Sequence, residues 1–212
     1  MAEAPAPDVE QNRHRSELTR LSTATKPHPP VRIIAGKFRG RKLQCPKLVT
    51  RPTLDRVREA LFSILGDLSD ARVVDFYAGS GALGLEALSR GASHVTLVEA
   101  DRQAAQVIRK NVEAWGIDGA YRVVECAVEK SRSALAAAAP LDLVLADPPW
   151  KISAEAAVIV PQVVKGSLSP SAIVVLGHAS RDELRLEAGS GLEQYDRRTW
   201  GDSALSFFRQ PA

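Results

Sequence analysis

The sequence predicts an α/β chain built on one mainly parallel sheet, with helices on both faces and an antiparallel hairpin at the end. Three observations predict it. An apolar run carrying a carboxylate, Val73-Val74-Asp75-Phe76, leads through Tyr77-Ala78-Gly79-Ser80-Gly81 into an amphipathic segment, Leu83 to Leu88. That order reads as strand, tight turn and helix. Strand-like and helix-like segments then alternate from Arg72 to Leu176, which demands crossover connections and therefore parallel pairing. The rhythm breaks only at the end, where Gln194 to Trp200 and Ala204 to Arg209 flank Gly201-Asp202 as two strands around a turn.

The elements follow in order. Met1 to about Pro30 carries Ala, Pro, Ser, Thr and charges with few large apolar residues, too little to offset the entropy of ordering, so residues 1–30 read as a flexible tail. Val31 to Leu43 alternates around Gly36 and Gly40 and suggests a β-hairpin. From Arg32 to Arg51 the bases Arg32, Lys37, Arg39, Arg41, Lys42, Lys47 and Arg51 are interrupted by no acid. A merely solvated face mixes signs; segregated positive charge attracts phosphates, so Arg32, Lys37, Arg39, Arg41 and Lys42 are candidate nucleic-acid contacts. A helix opens at Pro52 or Thr53, with Val57, Leu61, Ile64 and Leu65 as its apolar stripe. Arg51, Thr53 and Arg56 at its start would flank the cleft described below.

The strands expected after this helix are Val73 to Phe76, Val95 to Glu99, Tyr121 to Cys126, Leu141 to Ala146 and Ile173 to Leu176. The helices between them are Gly81 to Arg90, Asp101 to Trp115, an Ala-rich helix ending near Ala139, and roughly Ala154 to Lys165. With the closing pair the sheet has seven strands. The division expected is a tail (1–30), a basic hairpin and helix (31–66) and a main domain (67–212).

The totals narrow the class. At 212 residues, 45% hydrophobic and 25% charged, the chain is long enough for one full core plus an appendage. Two cysteines, Cys45 and Cys126, make neither a disulfide framework nor a metal pattern. No apolar run approaches the ~18 residues of a membrane span, and no secretory signal precedes the tail. A soluble, cytoplasmic, monomeric protein without a metal is expected. His14, His28, His94 and His178 are scattered and receive no role.

The chemistry lies in two motifs. Gly79-Ser80-Gly81-Ala82-Leu83-Gly84 matches G-x-G-x-x-G, and Glu99 lies about 20 residues on, where a ribose-binding acid belongs. A nicotinamide dinucleotide would put its pyrophosphate close to Asp75, and like charges repel. S-adenosylmethionine has a cationic amine and a sulfonium instead, with a ribose for Glu99, and is the better match. The second motif, Asp147-Pro148-Pro149-Trp150, follows the fourth strand directly. Ligands in open α/β sheets bind beyond the carboxyl ends of strands, which sets this tetrapeptide beside the glycine loop. The exocyclic amine of a nucleobase is a poor nucleophile; a carboxylate and a backbone carbonyl accepting its two N–H bonds can aim the nitrogen lone pair at a methyl donor. Two prolines stiffen that turn and remove competing donors. Trp150 offers a face for an extruded base. The bland reading is a plain turn after a buried strand, with Trp150 in the core.

On these residues the chain resembles the RsmD-type 16S ribosomal RNA guanine-N2 methyltransferases, from Arg32 to Arg209. The resemblance rests on Arg32 to Leu43, Thr50-Arg51-Pro52-Thr53 with Asp55 to Phe62, the loop Ala78 to Gly84 with Leu85 to Ala92, Asp147-Pro148-Pro149, and Gly201 to Leu205. The basic hairpin with the Thr-Arg-Pro-Thr helix is its most specific part. It implies a Rossmann-like, seven-stranded class I S-adenosylmethionine-dependent methyltransferase sheet. It also implies methylation of one guanine N2 in 16S rRNA, presented on the small ribosomal subunit or an assembly particle. Asp75 would face the cofactor's methionine amine, above the loop Tyr77, Ala78, Gly79, Ser80 and Gly81. Glu99 would take the ribose, the turns Ala100-Asp101 and Cys126-Ala127 would flank the adenine, and Asp147 and Pro148 would hold the guanine amine. The sequence departs from the pattern at Trp150, where such enzymes carry Phe or Tyr, and at Cys126-Ala127, which lacks a short polar side chain. Two other functions use similar motifs: a DNA adenine-N6 methyltransferase, for which no target-recognition domain is visible, and a non-catalytic rRNA-binding assembly factor.

Overall fold

The computed structural model describes residues 31–46 and 55–211. The tail, and with it Lys47, Arg51 and Thr53, lies outside the described residues. In chain order the elements are α1 (Asp55–Leu65), β1 (Arg72–Phe76), α2 (Ala82–Ser89), β2 (His94–Glu99), α3 (Arg102–Ala114), β3 (Tyr121–Glu125), α4 (Arg132–Ala136), β4 (Leu141–Ala146), α5 (Ser153–Val164), β5 (Leu168–Ala179), β6 (Glu193–Trp200) and β7 (Ser203–Arg209). One seven-stranded sheet runs β3-β2-β1-β4-β5-β7-β6. Its first five strands are parallel, and β7 pairs antiparallel with both β5 and β6. The chain leaves β1 toward β2 and β3, then returns to the other side of β1 with β4. The crevice of such a sheet opens at that switch point.

The pleat sorts side chains to two faces. Val73, Leu143, Leu145 and Val175 pack toward α1, α2 and α3, whereas Val74, Phe76, Val144 and Leu176 pack toward α5. By the same alternation Asp75 on β1, Gly177 on β5 and Leu205 on β7 belong to the first face.

Several expectations are refined. The segment 31–43 is a short hairpin: Ile33 N–H donates to the Arg41 carbonyl at 3.0 Å, Gly40 N–H to Ile33 at 2.9 Å and Leu43 N–H to Val31 at 2.8 Å, around one antiparallel bridge, Arg32 to Lys42, while the amides between them turn to the protein beneath. Ile34 and Ala35 N–H donate to the Glu86 carboxylate at 2.7 and 3.0 Å, Lys37 N–H to the Ser89 carbonyl at 2.7 Å, and Phe38 N–H to the Ser89 hydroxyl at 2.9 Å. A Cβ on Gly36 would lie 1.8 Å from the Ser89 carbonyl oxygen; glycine is what lets the loop lie flat on the end of α2. Val31, Ile33, Phe38 and Leu43 share one apolar cluster with α1, α2 and the sheet.

On α1 the buried side chains are Val57, Arg58, Leu61 and Phe62, while Ile64 is 42% exposed. The stripe is rotated by the hairpin that covers it. The Arg58 guanidinium is anchored under the hairpin by Asp55 Oδ1 and the Arg32 carbonyl, both at 2.7 Å. The Ala-rich helix is reduced to a 3₁₀ turn at Val128–Lys130 and the five-residue α4. β5 begins five residues before the expected Ile173 and runs past Leu176, with a register shift opposite Leu141/Leu143.

Candidate active site

The glycine loop is shaped by its backbone. Tyr77, Gly79 and Gly81 all have positive φ, at 57°, 57° and 80°. For Tyr77 this left-handed conformation is unfavourable by about 1–2 kcal/mol, strain of the kind that collects at functional sites. Gly84, the third glycine, serves packing: a Cβ there would lie 2.8 Å from Val95 Cγ1 and 3.1 Å from Asp75 Oδ2. Its bare Cα lets the Gly84 N–H, at the start of α2, reach Asp75 Oδ2 at 2.8 Å.

Asp75 is 1% exposed. Burial pushes its carboxyl up to about 8, opposed by the Gly84 N–H and reinforced by the negative charges of Asp147 and Glu99. Glu99 holds the loop itself. Its Oε2 accepts the Gly79 N–H at 2.7 Å and its Oε1 accepts the Asp101 N–H at 2.8 Å. A carboxylate has about four acceptor sites, so a diol can still bind there.

A cavity of about 910 Å³ opens at the ends of β1, β2, β3 and β4. Of the expected cofactor residues, Asp75, Tyr77, Ala78, Gly79, Ser80, Glu99, Ala100, Asp101, Cys126 and Ala127 line it, and so do Asp147, Pro148, Pro149 and Trp150. Gly81 does not; it caps α2 from behind, where a Cβ would meet Leu97 and Leu85 at 3.2 and 3.3 Å. At Gly79 a Cβ would find nothing nearer than the Tyr77 carbonyl at 3.9 Å, so this stretch of wall is bare backbone. Trp150 is half-buried at the rim and opens a 3₁₀ turn, Trp150–Ile152, held by Ser153 Oγ donating to its carbonyl at 3.0 Å. It is not a core residue.

Asp75, Glu99, Asp101, Glu129, Asp147 and Glu155 line the cavity against Lys151 and Arg181. The lining is therefore acidic. Beside these acids burial pushes the Tyr77 phenol up to about 12, with Glu129 and Glu155 adding to the effect.

The basic candidates lie elsewhere. None of Arg32, Lys37, Arg39, Arg41, Lys42 or Arg56 lines the cavity. The hairpin turn sits on the C-terminal end of α2, about 12 Å along an eight-residue helix from the glycine loop. Arg41 is engaged: it covers the rings of Phe38 and Trp115 at 5.3 and 5.9 Å and donates to the Trp115 carbonyl at 3.1 Å. Arg32 faces Asp55 at 3.7 Å. Arg56 is exposed and reaches toward Gly201 in the β6–β7 turn.

Sequence reasoning missed Arg181, Lys151, Gln103 and Ser203, all in the cavity wall. Lys151 directly follows the second motif; Arg181 lies two residues past the carboxyl end of β5, whose expected end at Leu176 fell short of it, and Ser203 is brought to the mouth by the antiparallel return of β7. His178 is buried between Ser206 Oγ and the Ala179 carbonyl, each at 2.9 Å, a satisfied core histidine. Among the described residues no cluster of His, Cys, Asp or Glu is arranged to hold a metal ion, and no helix is long and apolar enough to cross a membrane.

A seven-stranded sheet with β7 inserted antiparallel, and a carboxylate-lined crevice at the β1/β4 switch, defines the Rossmann-like class I methyltransferase fold. A solved structure described as "Putative methyltransferase yhhF from Escherichia coli" superposes with a TM-score of 0.71 at 32% identity, covering 86% of this chain and 98% of that one. The chain belongs to the family described as Conserved hypothetical protein 95, whose model matches residues 31–209. Among curated relatives, "Ribosomal RNA small subunit methyltransferase D" of Escherichia coli strain K12 is 47% identical over 124 residues, 57% of this chain and 61% of that protein. The aligned region therefore spans less than two thirds of that relative. "Putative rRNA methyltransferase YlbH" of Bacillus subtilis strain 168 is 31% identical over 85% of this chain and 99% of its own length. The resemblance read from the sequence is borne out at the level of family and fold.

Proposed function

We propose that this chain transfers a methyl group from S-adenosylmethionine to the exocyclic N2 amine of a guanine in small-subunit ribosomal RNA. The observation that carries this is the convergence of the Asp75–Glu99 loop and Asp147-Pro148-Pro149-Trp150 on one acidic cavity of about 910 Å³. The names of the relatives support RNA of the small subunit as the substrate. The protein acts as a single chain, in the cytoplasm, on the assembled subunit or a particle on the way to it.

The cavity fits the cofactor. A buried carboxylate at Asp75 with acids around it suits an ammonium group, the bare backbone at Gly79 suits close approach of a ligand, and Glu99 suits a ribose diol. The turns 100–101 and 126–127 would border the adenine. When bound, S-adenosylmethionine supplies a methyl group on a positively charged sulfur, which leaves as a thioether.

The chain's own residues prepare the amine. Asp147 and the Pro148 carbonyl accept the two N2–H bonds and turn the nitrogen lone pair toward the methyl carbon. With the methyl donor bound, the C–S bonding pair would leave with the thioether as N2 takes the methyl, and Asp147, or water beside it, would accept the proton that N2 gives up. Adjacent N1–H and N2–H donors make guanine the base an ionised, acceptor-only Asp147 reads best. Trp150 stacks on the extruded base. Residues 31–66 form the RNA-contacting extension of the methyltransferase domain, 67–212, with Arg32, Lys37, Arg39, Lys42 and Arg56 on phosphates.

The test uses tritiated S-adenosylmethionine with small subunits lacking the modification, total rRNA and duplex DNA, followed by digestion to nucleosides. Label in N2-methylguanosine from the small subunit, lost in Asp147→Ala, is the expected result. Label in N6-methyladenine of DNA would overturn it. RNA binding without transfer to any substrate would leave the assembly-factor reading.

A further inference from the structure

The structure assigns Gly177 as a positioning residue: its missing side chain is the seat in which the Asp147 carboxylate rests. Gly177 lies inside β5, paired with Leu205 of β7, and has no positive φ to require glycine. A glycine inside a strand weakens it by about 0.5–1 kcal/mol and often marks close approach of another group. Here the group is identifiable. A Cβ at position 177 would fall 2.2 Å from Asp147 Oδ1, 3.1 Å from its Cγ and 3.4 Å from its Cα.

The sheet explains the encounter. Ala146 at the end of β4 is in register with Leu176 of β5, so the next residues, Asp147 and Gly177, are neighbours on the same face. The carboxylate therefore occupies the space that a side chain on residue 177 would fill. Any side chain at 177, its Cβ falling 2.2 Å from Oδ1, must displace that oxygen by more than about 1 Å to reach ordinary contact. Backbone relaxation is restricted, because the next two residues are prolines with fixed φ. The displacement falls on the Asp147 side-chain torsions, which aim the carboxylate. Sequence gave no hint of this, since a lone glycine in an apolar run carries no partner's name.

This inference rests on the proposed role of Asp147. Gly177→Ala is expected to lower kcat for methyl transfer to small subunits about 100-fold, as a 1 Å misplacement does. Cofactor affinity and the KM for RNA should stay within about twofold, because Asp75, Glu99 and the hairpin are untouched. In an Asp147→Ala background the added methyl has no carboxylate to strike, so kcat should fall no further. The Tm change caused by Gly177→Ala should also be more favourable there than in the wild type. Wild-type kcat in Gly177→Ala, or equal losses in both backgrounds, would overturn the assignment. If the wild-type chain methylates no RNA, the proposed function falls, and the Tm comparison alone decides whether Gly177 seats Asp147: unequal changes support it, equal changes refute it.

Discussion

The two ends of α2 each meet a buried carboxylate, and the protein treats them in opposite ways. At the C-terminal end Glu86 is fully buried and compensated: two hairpin amides and the Arg90 guanidinium, at 2.8 Å, donate to it. At the N-terminal end Asp75 is equally buried, accepts the Gly84 N–H, and has Glu99 and Asp147 as its charged neighbours. A carboxylate matched by a cation from its own chain holds structure together. One surrounded by further acids keeps its proton until a cation arrives from outside. The difference separates the dock for the hairpin from the cavity proposed for the ligand.

The comparison breaks most directly at Glu86. Glu86→Ala leaves the Ile34 and Ala35 amides and Arg90, whose side chain is 18% exposed, without their acceptor. A loss of about 3–5 kcal/mol in folding free energy is expected, measured by denaturant unfolding, with the hairpin amides exchanging first in hydrogen-exchange experiments. A variant that unfolds at the wild-type denaturant concentration would mean that the Ser89 and Arg58 hydrogen bonds, with the apolar contacts of Ile33 and Phe38, suffice to hold the hairpin.

At the pocket end the largest effect is kinetic. Asp147→Ala should lower kcat about 100–1000-fold while the dissociation constant for S-adenosylmethionine, measured calorimetrically, stays near the wild-type value. Equal losses in both quantities would place Asp147 in cofactor binding instead.

Asp75 sharpens the contrast through pH. Its carboxyl titrates at about 8 in the folded chain against about 3.9 when unfolded. Between those values the folded state holds the extra proton, so the stability of the ligand-free protein falls as pH rises from about 4 to about 8 and then levels off. Asp75→Asn removes this slope, and its stability relative to wild type should grow across the same window in thermal scans. Cofactor affinity in the wild type should rise with pH toward 8, because an ammonium group needs the ionised carboxylate, until the ligand's own ammonium titrates. An Asn variant with an unchanged pH profile of affinity would separate Asp75 from the ligand's amine.

Much of this was legible in the sequence, and the reasons differ by region. β4 ran from Leu141 to Ala146 as expected because a buried parallel strand is an unbroken apolar run. The closing hairpin was legible from Gly201-Asp202. The cavity residues were legible because each sits within a few positions of a strand's carboxyl end. What stayed hidden depends on tertiary contact. β5 begins at Leu168, opposite Leu141, and carries Ser169-Pro170-Ser171, which reads locally as a turn, across a register shift before pairing with β4 resumes at Ile173. The buried Arg58 looks like one more surface base until the hairpin covers it. The uncompensated charge of residues 32–42 looked uniform, yet Arg32 finds Asp55 and Arg41 finds two aromatic rings.

That last division gives the smallest and most selective prediction. Arg39 at the hairpin turn is exposed, so Arg39→Ala should leave Tm and cofactor affinity unchanged. If it touches a phosphate of single-stranded rRNA, it should weaken RNA binding and reduce the slope of log affinity against log salt by about 0.7. Arg41→Ala should instead cost about 0.5–1 kcal/mol of stability, through its stacking on Phe38 and Trp115. Salt-dependent RNA binding by both variants separates the roles. An unchanged slope in Arg39→Ala would take Arg39 off the RNA and leave Lys37 and Lys42, both exposed, as the hairpin residues to test next.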